Sequence, residues 1–332
     1  MTGVLTKAVA DDEGDLRLDR WFRRHFPQVT HGRLEKWLRT GQVRVDGKRV
    51  KASQRLAAGQ TVRVPPLGEE EPTRAPAPRK PAAPMLSENQ RRDLEARVLH
   101  KDALVLVIDK PAGLAVQGGT GTDRHLDGML DALRFEAAER PRLVHRLDRD
   151  TSGVLVLARN ARAAAFLADA FRSKEARKLY WALVVGLPER AMGKISLPIA
   201  KLPGRAGERM AVDYDEGKRA TTLYRVVERA GASAAWLAME PLTGRTHQLR
   251  VHAAEGLGTP IHGDGKYGAQ KAFLDGEGLS RKLHLHARAI RIPHPAGGIL
   301  EVFAPLPEHM RRTWKFLGFS EKNPDSGFLD EG

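Results

Sequence analysis

The sequence predicts an α+β protein of two unequal domains joined by a tether, and three observations predict it. The chain has 332 residues, room for one large domain and a small one, and 41% of them are hydrophobic, as in globular proteins that bury a core. Strand-like and helix-like segments both occur, without the regular alternation that a doubly wound parallel sheet requires. From Pro65 to Pro84 the chain is rich in Pro and Ala, carries the run Glu69 to Glu71, and almost lacks large apolar side chains, so this stretch cannot fold alone.

The opening residues, MTGVLTKAVADDEGD, include acidic positions and lack the basic-then-apolar layout of a signal peptide. No apolar run is long enough to cross a bilayer, so the expectation is a cytoplasmic protein with no membrane partner. Leu18, Trp21, Phe22 and Phe26 then recur at helical spacing. A second short helix follows, with Leu34, Trp37 and Leu38 on one side and Arg33, Lys36 and Arg39 on the other. In QVRVDGKRV, Val43 and Val45 alternate with polar residues and Asp46-Gly47 supplies a hairpin turn; a further strand runs from Thr61 to Val64. Two helices and a small sheet make a compact module over residues 1–65, and residues 66–84 form the tether.

From Met85 the pattern changes to strands mixed with helices, and a large domain is expected over residues 85–319. Leu104 to Ile108 reads as a buried strand ending at Lys110-Pro111, and Val154 to Ala158 as another. Phe166, Leu167, Ala170 and Phe171 mark a helix packed after it. Leu179 to Val185 and Ala235 to Met239 are further strands, and Met310, Trp314 and Leu317 fit a closing helix. Residues 320–332 are expected to be a loose tail.

A formal charge of +14 suits a polyanionic partner, most often nucleic acid. The absence of cysteine excludes disulfides, thiolate nucleophiles and cysteine-ligated zinc. His284 and His286 lie two residues apart with no carboxylate beside them, and His247 and His252 add none, so no metal is expected. Gly118, Gly119 and Gly121 form a glycine-rich turn, but no Gly-Lys-Ser/Thr follows it; in GDGKYG the residue after Lys266 is Tyr267. Neither stretch is a phosphate-binding NTPase loop.

The stretch HRLDRDTSG, His145 to Gly153, turns into the apolar strand at Val154. Asp148 is its centre, with Arg146 and Arg149 close by, and nearby positive charge keeps a carboxylate ionised even when it is partly buried. An ionised, positioned carboxylate can serve as nucleophile or base. A salt-bridged Asp in a turn would have the same residues.

HRLDRDTSGVLVLA resembles the signature of the pseudouridine synthases of the large ribosomal-subunit family, and five more segments follow the family's order: DKPAGLAVQGG from Asp109, KLYWALV from Lys178, GRTHQLRVH from Gly244, PIHGDGKYG from Pro260 and LHLHA from Leu283. The resemblance implies a mixed, largely antiparallel sheet surrounded by helices. It implies that uridine is isomerised to pseudouridine without a cofactor, on a base extruded from the RNA stack. It places Asp148 as the nucleophile, Arg245 as its ion-pair partner lowering its pKa, and Tyr180 as a ring stacked on the uracil whose hydroxyl assists removal of the carbon 5 proton. Arg146 would enter the gap left by the base, and Leu285 would form an apolar pocket wall.

Residues from about Leu16 to Pro65 resemble the small RNA-binding domain first described in ribosomal protein S-four, which implies phosphate contacts from Arg33, Lys36, Arg39, Arg44, Lys48 and Arg49. That module, with AVQGGTG after DKPAGL, is most similar to the C-type branch acting on 23S ribosomal RNA. The expected partner is therefore 23S rRNA or an assembling large subunit, met by a monomer, with a D-type or transfer-RNA substrate as alternatives. A non-catalytic ribosome-assembly factor and a metal-dependent RNA hydrolase also fit the charge; neither explains six ordered segments.

Overall fold

The computed structural model describes residues 3–67, 86–119, 124–202, 209–276 and 279–329. The chain divides into two compact units, Met1–Ala82 and Ala83–Gly332. Most of the expected tether, and Gly121 of the glycine-rich turn, lie outside the described residues.

In the small unit, β1 (Leu5–Ala8), α1 (Leu18–His25), α2 (His31–Arg39), β2 (Arg44–Val45), β3 (Lys48–Arg49) and β4 (Thr61–Val64) follow in order. The sheet runs β1-β4-β2-β3 with antiparallel neighbours. Asp46 and Gly47 have φ of 48° and 75°, the left-handed pair that a two-residue hairpin requires, and Asp46 Oδ1 accepts the Thr61 N–H at 2.8 Å. Trp21, Phe22, Leu34, Trp37, Val43 and Val62 close one core between helices and sheet. Leu67 packs against that core and its carbonyl accepts from Arg33 at 2.6 Å, so the first residues of the expected tether stay with this unit.

The large unit begins with α3 (Glu88–Glu95), β5 (Val98–Lys101), β6 (Val105–Lys110), α4 (Leu126–Met129), β7 (Arg142–Leu143), β8 (Ser152–Ala158) and α5 (Ala161–Arg172). It continues through β9 (Arg177–Val185), β10 (Met192–Lys201), β11 (Met210–Val212), β12 (Lys218–Ala230) and β13 (Ala234–Pro241). It ends with α6 (Gln248–Val251), α7 (Gly265–Gly268), β14 (Leu285–Pro293), β15 (Ile299–Phe303) and α8 (Glu308–Leu317). The sheet order is β11-β10-β12-β13-β9-β14-β8-β6-β5, with β15 on β14 and β7 on β8. Neighbours are antiparallel except β8 and β14, so the sheet is mixed and largely antiparallel.

Both faces of the sheet are covered, and the two-residue pleat sorts its side chains. On β9, Leu179, Trp181 and Leu183 pack with Trp236, Met310 and Trp314. Tyr180, Ala182 and Val184 face the other way, with Leu237, Leu249 and Leu285. Helix α5 buries Ala163, Leu167 and Ala170 on β8, whereas Phe166 points to solvent at 41% exposure, a correction to its expected packing role.

The tail is also corrected. Residues 320–329 are docked: the buried indole of Trp181 donates to the Ser326 carbonyl at 2.8 Å, Arg225 donates to the Asp325 carbonyl, and Leu329 is 5% exposed. The buried Trp181 indole finds its acceptor on the tail, and Phe328 and Leu329 bring apolar surface along with it. No helix among the described residues is long and apolar enough to cross a membrane.

Candidate active site

The turn that carries Asp148 is fixed from both sides. Its carbonyl accepts the Thr151 N–H at 3.2 Å, and the chain then enters β8. Gly153 has φ of 108°, and a Cβ there would lie 2.2 Å from the Ala287 carbonyl oxygen, so this contact between parallel strands requires glycine. Beside it, Ser152 Oγ and His286 Nδ1 lie 2.9 Å apart. Lys110, fully buried at the end of β6, donates to the carbonyls of Pro111, Leu114 and Arg149 at 2.9, 2.9 and 3.0 Å, and thereby ties the KPAG turn to the Asp148 turn. Burial pulls its ammonium down to about 8, against the opposing pull of Asp150, Asp148 and Asp109. His145 stacks on Phe171 at 4.3 Å and accepts the Val156 N–H at 2.8 Å through Nε2; burial, with Lys178 beside it, lowers its pKa to about 3 and keeps it neutral.

Asp148, whose side chain is 28% exposed, opens into a cleft of about 450 Å³, a size typical of small-ligand sites. Tyr180 from β9 and Leu285 from β14 form an apolar wall, and Lys178 stands one pleat before Tyr180. Burial first, and the Asp148 charge second, raise the Tyr180 phenol and keep it protonated, so this ring does not offer a phenolate base. Arg146, Arg172, Lys174 and Arg245 add a basic lining. Arg146 is exposed, and donates to Thr246 Oγ1 at 3.3 Å.

The opposite wall is the loop from Pro241 into α6. Gln248 organises it: Oε1 accepts from Thr243 Oγ1 at 2.7 Å and from the Arg245 N–H at 3.1 Å, and Nε2 donates to the Thr221 carbonyl and to Thr222 Oγ1 on β12. Here the expected ion pair is corrected. Arg245 is exposed and its Nε donates to the Arg219 carbonyl at 3.4 Å; among the described residues it forms no salt bridge with Asp148. The charged neighbour is Arg250, 8% exposed, bound bidentately to Asp264 with both contacts at 2.7 Å. Burial opposes its charge, but the Asp264 pair and then Asp148 outweigh burial and raise its pKa. GRTHQLR contains both arginines, and the residue that distinguishes them, Asp264, lies in a different segment; its acidic side chain in PIHGDGKYG was the available signal. His247 was another site residue without an assigned role, with Nε2 at 4.0 Å from Asp148 Oδ2.

His284 and His286 are structural. His284 engages the Lys282 carbonyl and Thr313 Oγ1, and His286 engages Ser152 and the Ala304 carbonyl, so both ring nitrogens of each are occupied by protein. In the small unit Arg33, Lys36, Arg39, Lys48 and Arg49 are exposed. Arg44 is half-buried, with its guanidinium on the Gly41 and Gly47 carbonyls, and Arg33 lies over the Trp37 ring at 4.8 Å.

Comparison with known proteins gives a consistent result. Residues 104–255 match the family model described as RNA pseudouridylate synthase, and residues 16–62 match the S4 domain. The chain is 38% identical to ribosomal large subunit pseudouridine synthase C of Escherichia coli, over 93% of this chain and 95% of that protein. It is 36% identical to RNA pseudouridine synthase 4, mitochondrial, of Arabidopsis thaliana, over 90% of this chain and 78% of that protein. Among solved structures, human RNA pseudouridylate synthase domain containing 4 superposes with a TM-score of 0.57 at 30% identity, covering 69% of this chain and 95% of that one.

Proposed function

The chain belongs to the RNA pseudouridylate synthase family and is an RNA pseudouridine synthase with an S4 domain, and from that premise we propose that it modifies uridines of large-subunit (23S) ribosomal RNA with Asp148 as nucleophile. The observation that carries this reading is the placement of Asp148 between an aromatic-apolar wall and a basic lining, in a cleft that suits an extruded nucleotide. A relative whose name specifies the large ribosomal subunit supports the choice of RNA.

The reaction breaks the bond between ribose carbon 1 and base nitrogen 1, turns the base, and forms the bond to carbon 5. Carbon 5 loses a proton and nitrogen 1 gains one, so the atoms balance with no redox step, donor or cofactor. Asp148 attacks carbon 6 of the base or carbon 1 of the ribose, and in either route its bond to the substrate breaks again before release, so the carboxylate is regenerated. Tyr180 stacks on the uracil, a contact of about 1–3 kcal/mol per base, and its neutral hydroxyl relays the carbon 5 proton. Leu285 closes the apolar side, and Arg146 occupies the gap left in the RNA stack. Arg250 supplies the charge beside Asp148 that the sequence assigns to Arg245, and Arg245 is left to meet phosphate at the rim. Lys36, Arg39, Lys48 and Arg49 of the small unit make further phosphate contacts.

The test is pseudouridine mapping across rRNA and tRNA from a strain lacking the protein, complemented with the natural chain or with Asp148→Asn. Specific 23S uridines regained only with the natural chain support the reading. Recovery in tRNA alone overturns the substrate, and recovery with Asp148→Asn overturns the nucleophile.

A further inference from the structure

The tyrosine of GDGKYG has no part in the chemistry above, yet it reaches the catalytic wall. Tyr267 Oη lies 2.6 Å from His247 Nδ1, and His247 Nε2 lies 4.0 Å from Asp148 Oδ2. From this geometry, and resting on the reading of Asp148 as the acting carboxylate, we propose that His247 and Tyr267 are positioning residues: Tyr267 fixes the imidazole of His247, and His247 aims the Asp148 carboxylate.

The hydrogen placement follows from the partners. Tyr267 Oη accepts the Met210 N–H at 3.1 Å, which leaves its own hydrogen for His247 Nδ1. Nε2 then carries the imidazole hydrogen and turns it toward the carboxylate; the other tautomer would set a lone pair against a negative charge. The ring is held neutral: burial lowers its pKa, Asp148 and Asp264 oppose that, and Arg250 and Lys266 reinforce it. Tyr267 is itself held, since its N–H meets Asp264 Oδ1 at 3.4 Å and the Arg250 guanidinium lies 5.0 Å from its ring centre.

The backbone is consistent with a residue kept for its side chain. His247 has φ of 53° and ψ of 19°, a left-handed conformation uncommon for any residue but glycine. Gln248, the next residue, holds that conformation in place by bonding back to the Arg245 N–H and across to the Thr221 carbonyl on β12. Strain retained beside a reacting group is the pattern of a pre-organised site. At 4.0 Å the imidazole is not hydrogen-bonded to Asp148; contacts of this kind tighten when substrate fills a site.

The test measures single-turnover isomerisation and RNA affinity with the full chain and a 23S transcript. Tyr267→Phe keeps the ring and removes the hydroxyl; its rate is expected to fall about tenfold, with affinity within about twofold, short of the roughly hundredfold cost of an ångström of misplacement. His247→Ala should lose more, and His247→Gln, which restores an N–H donor, should recover part of it. Because Tyr267 acts through His247, the double variant Tyr267→Phe/His247→Ala should be no slower than His247→Ala. Multiplicative losses, a full rate in Tyr267→Phe, or a change confined to affinity each overturn the proposal. Asp148→Asn separates the two readings: if that variant isomerises normally, the reading of Asp148 fails, whereas an inactive Asp148→Asn beside a normal Tyr267→Phe defeats the positioning proposal alone.

Discussion

Asp148, Tyr180 and Leu285 reach the cleft from strands or from the turn that enters one, whereas Arg245, His247 and Arg250 reach it from one loop and a single turn of helix. On the strand side, direction is set by the pleat and by backbone pairing: Tyr180 is registered against Met239 and Ala287, and Gly153 against Ala287. On the loop side, direction is set by side chains borrowed from elsewhere: Gln248 on β12, Arg250 on Asp264, His247 on Tyr267. A wall built from backbone register resists substitution of its neighbours; a wall built from side-chain bonds has specific points of failure.

The largest effect should come from the strand wall. Asp148→Asn is expected to lower single-turnover isomerisation by roughly a thousandfold or more while leaving RNA affinity and thermal midpoint near the natural values. A parallel loss of folding stability would mean that the carboxylate is holding the turn, and the proposed role of that wall would have to be redrawn.

The same contrast decides what was legible in the sequence. HRLDRDTSGVLVLA is contiguous, so a turn followed by a buried strand could be read directly, and the apolar run in KLYWALV marks a strand that starts near Tyr180, although which face the ring takes is settled only by the pairing of β9. Asp46-Gly47 announced its hairpin because two left-handed residues suffice to make one. Arg250 was missed because its identity as the buried cation depends on Asp264, fourteen positions on in another segment. The docked tail was missed for a similar reason: nothing local to Ser326 shows that a buried indole on β9 needs its carbonyl. Local periodicity reports the strands; contacts closed only in three dimensions are silent in it.

Next in size, Arg250→Met should destabilise the protein by about 3–5 kcal/mol, because Asp264, 1% exposed, is left charged and unpaired. Arg245→Met, at an exposed side chain, should stay within about 0.5 kcal/mol. Equal denaturation midpoints for the two would erase the distinction drawn between them. Acid should weaken both walls together. His145 and His286 beside the strand wall are lowered to about 3 and His252 behind the loop to about 4, all mainly by burial. Their folded pKa values lie below the ordinary 6.5, so the unfolded chain binds more protons through that window. Stability is then full above pH 6.5 and falls as pH drops toward 4, by up to about 1.4 kcal/mol per histidine per pH unit. Thermal melts across that range check the sign; a midpoint that rises on acidification would contradict it.

Tyr180→Ala should weaken capture of the target base by about 1–3 kcal/mol, and Tyr180→Phe should retain most of that capture. Rate and affinity measured on the same transcript separate the ring from the hydroxyl. If Phe restores affinity but not rate, the relay role of the hydroxyl stands; if Phe restores neither, the ring is not the stacking surface.

The smallest effect sharpens the comparison most. Arg245 is exposed, with one long hydrogen bond of 3.4 Å to the Arg219 carbonyl, so its charge is available to RNA. Removing one phosphate contact should reduce the slope of log affinity against log salt by about 0.7–0.9. Arg245→Ser is therefore expected to bind more weakly at low salt, to approach the natural protein as salt rises, and to isomerise at the natural rate once RNA is saturating. A variant that binds normally but turns over as slowly as Asp148→Asn would mean that Arg245 swings onto the carboxylate when RNA arrives. The loop wall would then supply the ion pair only in the complex, and the free protein's pairing of Arg250 with Asp264 would be what keeps that loop in place until it does.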